Sequence, residues 1–219
     1  MNHLAIPPGH RPLEVLSPGR LDYREALARQ SAVAEALKAG EGTDTVFLLE
    51  HPPVITLGAN KKLNQVLAVP PGVDVVQIDR GGGATGHEPG QLVVYPVVHL
   101  RRRGLGVKAF VLRILDAGAA LLRELGVPAE PRLDPLGLWV ADRKIASMGI
   151  HISRFVTTHG LAINLINDLS LFSAMVPCGL PDVRMTSAAL ELGRAVDMAA
   201  ATRRMAQLVT AALAPETAP

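Results

Sequence analysis

Cysteine is nearly absent: Cys178 is the only one in 219 residues. That excludes an internal disulfide framework and a cysteine-rich zinc site. Aromatic residues are scarce at 3%, too few for the stacking platforms that bind single-stranded nucleic acid. Neither sign of charge dominates. Lys plus Arg number 22 against 20 Asp plus Glu, so the polyelectrolyte footprint of a nucleic-acid binder is missing. No apolar run approaches the roughly 18 residues that a membrane-spanning helix needs. The opening stretch, MNHLAIPPGHRPLEV, has no positive lead followed by an apolar core, so no secretory signal is expected and a cytoplasmic location is. In a reducing compartment a lone cysteine either packs or does chemistry.

What is present reads as globular: 48% hydrophobic residues and 19% charged. The length suits a single domain, 1–219, with a possible C-terminal subdomain from about 175. Residues 12–17 have the pattern of a short edge strand. Asp22 with Glu25 forms a capping pattern, and the stripe through Tyr23, Ala26, Leu27, Val33, Ala34 and Leu37 predicts a helix ending at Gly40. Thr45–Leu49, Val73–Ile78 and Gln91–Leu100 are strand candidates. The spacing of Phe110, Ile114, Ala117 and Leu121 predicts a helix over Val107–Leu125, stopped by Gly126 and Pro128. A meander follows in Leu138–Val140, Lys144–Ile152 and Val156–Ile166, then an Ala-rich helix over Ala195–Leu213. Partial segregation of strands and helices points to an α+β fold with a mixed or antiparallel sheet flanked by helices.

The least ordinary stretch runs from Arg80 to Pro96, RGGGATGHEPGQLVVYP. It holds a formal G-x-G-x-x-G at Gly81, Gly83 and Gly86, but a dinucleotide fingerprint must open a helix and meet an acid about 20 residues on. Here Pro89 and Gly90 break any helix, and no acid occurs between Glu88 and Asp116. The glycines allow close backbone approach to a ligand, with Arg80, His87 and Gln91 beside them. A turn that needs its glycines only for geometry is the plainer alternative.

Cys178 stands between Pro177 and Gly179, on a turn. A free thiol is only a few per cent thiolate at pH 7, so nucleophilicity requires a nearby cation or base. Lys144, His151 and His159 are the candidates, and spacing does not choose among them. A lysine at a strand start is ordinarily a solvated edge charge. Buried beside a thiol, it would instead form an ammonium–thiolate pair. Arg101–Arg103 is the densest basic cluster and a candidate docking patch for an acidic partner. No His, Cys and acid spacing resembles a metal ligand set.

Several blocks together resemble the lipoate–protein ligase B family, the octanoyl-acyl-carrier-protein:protein octanoyltransferases. They are Leu49-Glu-His-Pro-Pro53, the Arg80–Pro96 loop, Gly137-Leu-Trp-Val with Arg143-Lys-Ile-Ala146, Thr158–Asn164, Val176-Pro-Cys-Gly179 and Thr186-Ser187. They occur in family order over most of the chain. The resemblance implies the α+β fold of lipoate and biotin protein ligase catalytic domains. It also implies octanoyl transfer from acyl carrier protein to lipoyl-domain lysines, with Cys178 as acyl-thioester nucleophile and Lys144 as the residue lowering its pKa. Substrate contacts are implied at Arg80, Gly81, Gly82, Gly83, Ala84, Thr85, Gly86 and His87. Others are implied at Ser147, Met148 and Gly149, and at Gly160, Leu161 and Ala162. Backbone N–H groups beside Gly149 or Gly160 are candidate oxyanion donors, and Met148, Leu161 and the Val93–Tyr95 strand candidate channel walls.

No cofactor or metal is implied, because octanoyl-phosphopantetheine arrives on the carrier. The implied acceptors are lipoyl domains of 2-oxo-acid dehydrogenase E2 subunits and the glycine-cleavage H protein, and the expected state is a monomer. Two positions depart from the family pattern. Gly86 stands where an aromatic is usual, which would widen a pocket wall, and Glu88 replaces a glycine, placing a carboxylate near the channel or in solvent. The rivals are an ATP-dependent lipoate or biotin ligase, a thioesterase, and an acyl-carrier-binding module with an inert cysteine.

Overall fold

The protein is described from a computed structural model covering residues 12–176 and 183–214. Strand β1 (Leu13–Arg20) leads through helix α1 (Tyr23–Lys38) to β2 (Asp44–Glu50), β3 (Val54–Leu57), β4 (Gln65–Val66), β5 (Asp74–Gln77), β6 (Thr85–His87) and β7 (Gln91–Val97). Helix α2 (Val107–Leu125) precedes the meander β8 (Glu130–Leu133), β9 (Leu136–Val140), β10 (Arg143–Ser153) and β11 (Val156–Asn164). The chain then forms β12 (Met175–Val176), β13 (Arg184–Met185), α3 (Ala188–Leu192) and α4 (Met198–Ala212).

The main sheet is mixed, in the order β1-β2-β7-β11-β10-β9-β8, with β13 added beside β10. Its central strands are sandwiched between helices, so both of their faces are apolar. Alternation along β7 sends Leu92 and Val94 to one core, and Val93, Tyr95 and Val97 to the other. The first core is closed by α2 through Phe110, Ile114 and Leu121 and by α4 through Met205 and Val209. Ala34 and Leu37 of α1 close the second against Phe47 and Leu49. Helix α1 starts where expected, because the Asp22 carboxylate accepts the N–H groups of Arg24 and Glu25 at 2.8 and 3.2 Å. A smaller sheet, β5-β3-β6, and the β12–β4 pair stand beside the main one. These short strands carry too few residues for a periodic signal, and Thr85–His87 pairs inside a run that reads as loop.

The arginine cluster departs from its expected exposure. Arg101 is exposed and lies 3.4 Å from the Phe155 ring centroid. Arg102 donates to the Leu37 carbonyl at 3.1 Å. Arg103 is buried: its Nε is 2.6 Å from Asp44 Oδ2, and its guanidinium also donates to the Leu213 carbonyl at 2.7 Å. Asp44 in turn accepts the His99 N–H at 2.8 Å. The cluster therefore ties β2, the Leu100–Arg103 turn and the end of α4 together, and is not a continuous basic face.

Removing one partner of a desolvated ion pair leaves a buried charge unmatched. Arg103→Leu is expected to cost about 3–5 kcal/mol in urea unfolding. The Arg103→Leu/Asp44→Leu double variant should lose clearly less than the two single losses combined.

Candidate functional site

A cleft of about 450 Å³, counted out to its mouth, opens between α1, the glycine-rich loop and the main sheet. The loop contributes Arg80, Gly81, Gly82, Thr85 and His87; β10 contributes Ser147, Met148 and Gly149; β11 contributes Gly160, Leu161 and Ala162. These come together because β10 and β11 are antiparallel neighbours in a register that sets Gly149 opposite Gly160 and Met148 opposite Leu161. The loop is stitched to that floor by the Gly81 N–H, which donates to the Ile150 carbonyl at 3.0 Å. Arg80 is buried and braces the wall, donating to the Thr56 hydroxyl at 2.8 Å and the Thr56 carbonyl at 3.1 Å.

Gly83, Ala84 and Gly86 lie behind this wall. A Cβ on Gly83 would stand 2.3 Å from the Leu63 carbonyl oxygen, and Ala84 packs with Ile55 and Leu171. Gly86 faces away from the cleft, and a Cβ there would meet Leu171 Cδ2 at 2.9 Å. The expected widening of the pocket at Gly86 is therefore not seen: Leu171 and Met175 occupy that space from outside. Glu88 takes neither expected position. It is buried, and its Oε1 accepts Asn167 Nδ2 at 2.9 Å and the Leu169 N–H at 3.0 Å. Burial holds its pKa above the ordinary carboxylate value, against those two hydrogen bonds.

Lys144 is the clearest departure from a solvated edge charge, at 2% exposure. Strand β13 covers what would be an edge, pairing at Arg143 and Lys144, and the Thr186 N–H donates to the Lys144 carbonyl at 2.9 Å. The β9–β10 register shifts between Lys144 and Ala146, which breaks strict alternation. The side chain crosses Gly137, whose missing Cβ would lie only 2.7 Å from Lys144 Cε, and Nζ lies 5.5 Å from the Trp139 ring centroid. Gly137 is the register partner of Ser147, so the lysine stem runs toward the cleft floor. Cys178 lies outside the described residues.

Tyr23, Tyr95 and His159 also line the cleft. Tyr23 reads from sequence as one position of a helical stripe; its ring stacks 5.8 Å from His87. Tyr95 Oη lies 3.0 Å from His51 Nε2, while His51 Nδ1 lies 2.7 Å from the Leu21 carbonyl. A carbonyl only accepts, so Nδ1 carries the His51 proton and Tyr95 donates to Nε2. The same logic fixes His87, whose Nδ1 donates to Gln91 Oε1 at 2.7 Å. Gln91 donates to Asn164 Oδ1 at 2.9 Å, and Asn164 donates to the Thr186 carbonyl at 3.0 Å. His159 Nε2 contacts Asp79 Oδ1 at 2.8 Å, and His151 Nε2 lies 3.5 Å from Asp79 Oδ2.

Burial pushes the His51 pKa down to about 4 and holds His87 well below its ordinary value. It also lowers His159, despite the Asp79 carboxylate that favours its charged form. Burial holds the Tyr95 hydroxyl well above its usual range. His51, His87 and His159 are therefore neutral at pH 7. Among the described residues no group of three or more His, Cys, Asp or Glu is placed to hold a metal ion.

A family profile described as "Lipoyl protein ligase A/B catalytic domain" matches residues 22–210, and the chain belongs to that family. Within it, strong similarity is to proteins named octanoyltransferase. The one from Desulfovibrio desulfuricans is 43% identical over 181 residues, covering 79% of this chain and 75% of the relative. That of Chloroflexus aggregans is 41% identical over 203 residues, covering 89% and 92%. Among solved structures, a putative lipoate protein ligase from T. acidophilum with bound lipoic acid superposes with a TM-score of 0.70. It is 18% identical and covers 93% of this chain and 86% of that one, a likeness of fold.

The neutral histidines have a thermodynamic consequence. Each accepts a proton near pH 6.5 when unfolded and only at lower pH when folded, so the unfolded chain binds more protons between those values. Their contribution is complete above about pH 6.5 and is lost as pH falls toward the folded values. For His51 the loss is on the order of 3 kcal/mol by about pH 4. Urea midpoints should fall over this window, and His51→Gln should flatten the slope by close to one proton.

Proposed function

We propose that the chain transfers an octanoyl group from acyl carrier protein to the lysine of a lipoyl domain through a thioester on Cys178. The activity is the one its relatives are named for. The observation that carries the chemistry is the buried Lys144 side chain beside a cleft whose floor is Met148, Leu161 and Ala162. A lysine removed from water keeps its charge more readily beside an anion, and a thiolate on Cys178 would be one. The described chain supports this pairing: β12 ends at Val176, two residues before the cysteine, and β13 resumes at Arg184 directly beside Arg143 and Lys144.

In the first step the Cys178 thiolate attacks the thioester carbonyl of octanoyl-acyl carrier protein. A sulfur–carbon bond forms, the bond to phosphopantetheine sulfur breaks, and that sulfur leaves as a thiolate. In the second, the neutral acceptor lysine attacks the acyl-enzyme. A nitrogen–carbon bond forms, Cys178 leaves as thiolate beside Lys144, and the surplus proton passes from nitrogen to solvent through Lys144. Gly149 and Gly160 face each other across the cleft floor, so both candidate oxyanion donors border one space. Thioester exchange is nearly isoenergetic and amide formation is downhill, so this route needs neither ATP nor a metal.

The proposed acceptors are lipoyl domains of 2-oxo-acid dehydrogenase E2 subunits and the glycine-cleavage H protein, met by a monomeric, cytoplasmic enzyme. No helix among the described residues is long and apolar enough to cross a membrane. Wild type mixed with octanoyl-acyl carrier protein, without ATP, should show an octanoyl adduct by intact mass, and Cys178→Ala should show none. An adduct on the Ala variant removes Cys178 from the reaction. Lys144→Met should raise the pH midpoint of Cys178 alkylation and slow transfer about 100-fold or more. An unchanged midpoint assigns thiol activation to another group.

A further inference from the structure

With Arg103 buried in an ion pair and Arg102 bound to Leu37, the arginine cluster offers an acidic partner little more than Arg101. We infer that Lys61–Val69 is the surface on which acyl carrier protein lands, its acidic face meeting Lys61 and Lys62 and its apolar contacts meeting Leu67 and Val69. The inference rests on the transfer reading above and deepens it by placing the donor.

Both lysines are exposed, and neither ammonium makes an ion pair among the described residues. Some other exposed cations are matched, as Arg29 is by Glu25 and Arg204 by Glu124, each at 2.6–2.7 Å. Residues 58–72 contain these two lysines and no acid. Leu67 is 68% exposed and Val69 46%, so two large aliphatic side chains stand in water within one turn of the same basic segment. Charge complementarity of this kind speeds encounter and fixes orientation. Its border is defined by the next groove, where Asp168 is exposed beside Pro70.

Position carries the inference further than charge. At one end the segment is bonded to the cleft wall: the Ala84 N–H donates to the Leu63 carbonyl at 3.2 Å, and the Asn60 N–H to the Gly82 carbonyl at 3.3 Å. At the other end β4 pairs with β12, Gln65 opposite Val176 and Val66 opposite Met175, and the Leu67 N–H donates to the Ala174 carbonyl at 2.8 Å. The surface thus lies between the wall that an acyl tail would pass and the strand that leads into Cys178. A carrier resting there delivers its thioester where both ends of the acyl group are needed.

The test follows adduct formation on the full chain by intact mass, at low salt and subsaturating donor. Octanoyl-acyl carrier protein is compared with octanoyl-pantetheine, a thioester without protein. Lys61→Glu/Lys62→Glu should slow acylation by the carrier about tenfold or more and leave acylation by octanoyl-pantetheine unchanged. Lys61→Arg/Lys62→Arg should restore the carrier rate, and added salt should bring wild type toward the Glu variant. Equal carrier rates in wild type and the Glu variant overturn the assignment, as do equal losses with both donors. A loss confined to transfer from preformed acyl-enzyme to a lipoyl domain also overturns it, giving the surface to the acceptor. If wild type is acylated by neither donor, the transfer reading itself falls.

Discussion

A lysine ammonium held out of water is the constraint around which this site is built. Desolvating such a group costs several kcal/mol, and a well-packed apolar residue in its place is often as stable or more so. The fold nevertheless commits several features to Lys144. Strand β13 seals the edge at which it begins, a register shift turns its side chain, Gly137 leaves the path for its stem, and Trp139 lies near its head. The indole face offers modest compensation for a cation, about 1–2 kcal/mol where water is excluded. That is less than the cost of burial, and a neighbouring anion would offset more of it. In the proposed reaction that anion is the nucleophile itself, and the same electrostatics that make a buried lysine a poor stabiliser would let it activate a thiol.

The remaining polar groups of the cleft solve a different problem. An acyl chain gains nothing from entering a space lined by ionised side chains, yet tyrosines, histidines and amides are needed there to hold the walls. Burial keeps His51 and His87 neutral, and the hydrogen-bond chains through Leu21, His51 and Tyr95 and through His87, Gln91, Asn164 and Thr186 hold each imidazole in one tautomer. Tyr95 and Asn164 belong to β7 and β11, central strands covered on both faces, so the network inherits the rigidity of the sheet. The price of this arrangement is sensitivity to acid, since buried neutral histidines favour the unfolded chain once protons are plentiful.

Sequence periodicity revealed the long elements because their burial is regular. Helices α1 and α2 and the β9–β11 meander bury one stripe or alternate faces, and patterns of that kind survive in a single sequence. The short strands β3, β4 and β6 do not, because two to four residues cannot display a period and Thr85–His87 is flanked by glycine and proline. The site was legible as a set of blocks but not as a geometry. Lys144 reads as an edge charge until a strand forty-one residues later (185 − 144) covers it, and Arg103 reads as surface until Asp44 is brought to it from β2. Tyr23 shows only as a helical position, since its contact with His87 joins elements sixty-four residues apart (87 − 23). In each case the missing information is a long-range contact, which no local spacing encodes.

The two positions that depart from the family pattern are explained by one loop. Gly86 lacks the side chain that would reach away from the cleft, and Leu171 and Met175 close over the place where it would stand. Two residues on, Glu88 fastens the same loop by accepting from Asn167 and the Leu169 backbone. Leu169 has a positive φ of 67°, a conformation in which a non-glycine residue is strained, and the carboxylate supplies a bond that holds it there. The two residues act on one segment: Gly86 leaves room behind the wall, and Glu88 anchors the segment that fills it. Thr85 and His87 face the cleft while Gly86 and Glu88 face away from it, so these two residues belong to the support of the wall and not to its lining. The segment so anchored continues into β12, so both residues bear on the support of the cleft wall and not on the width of the cleft.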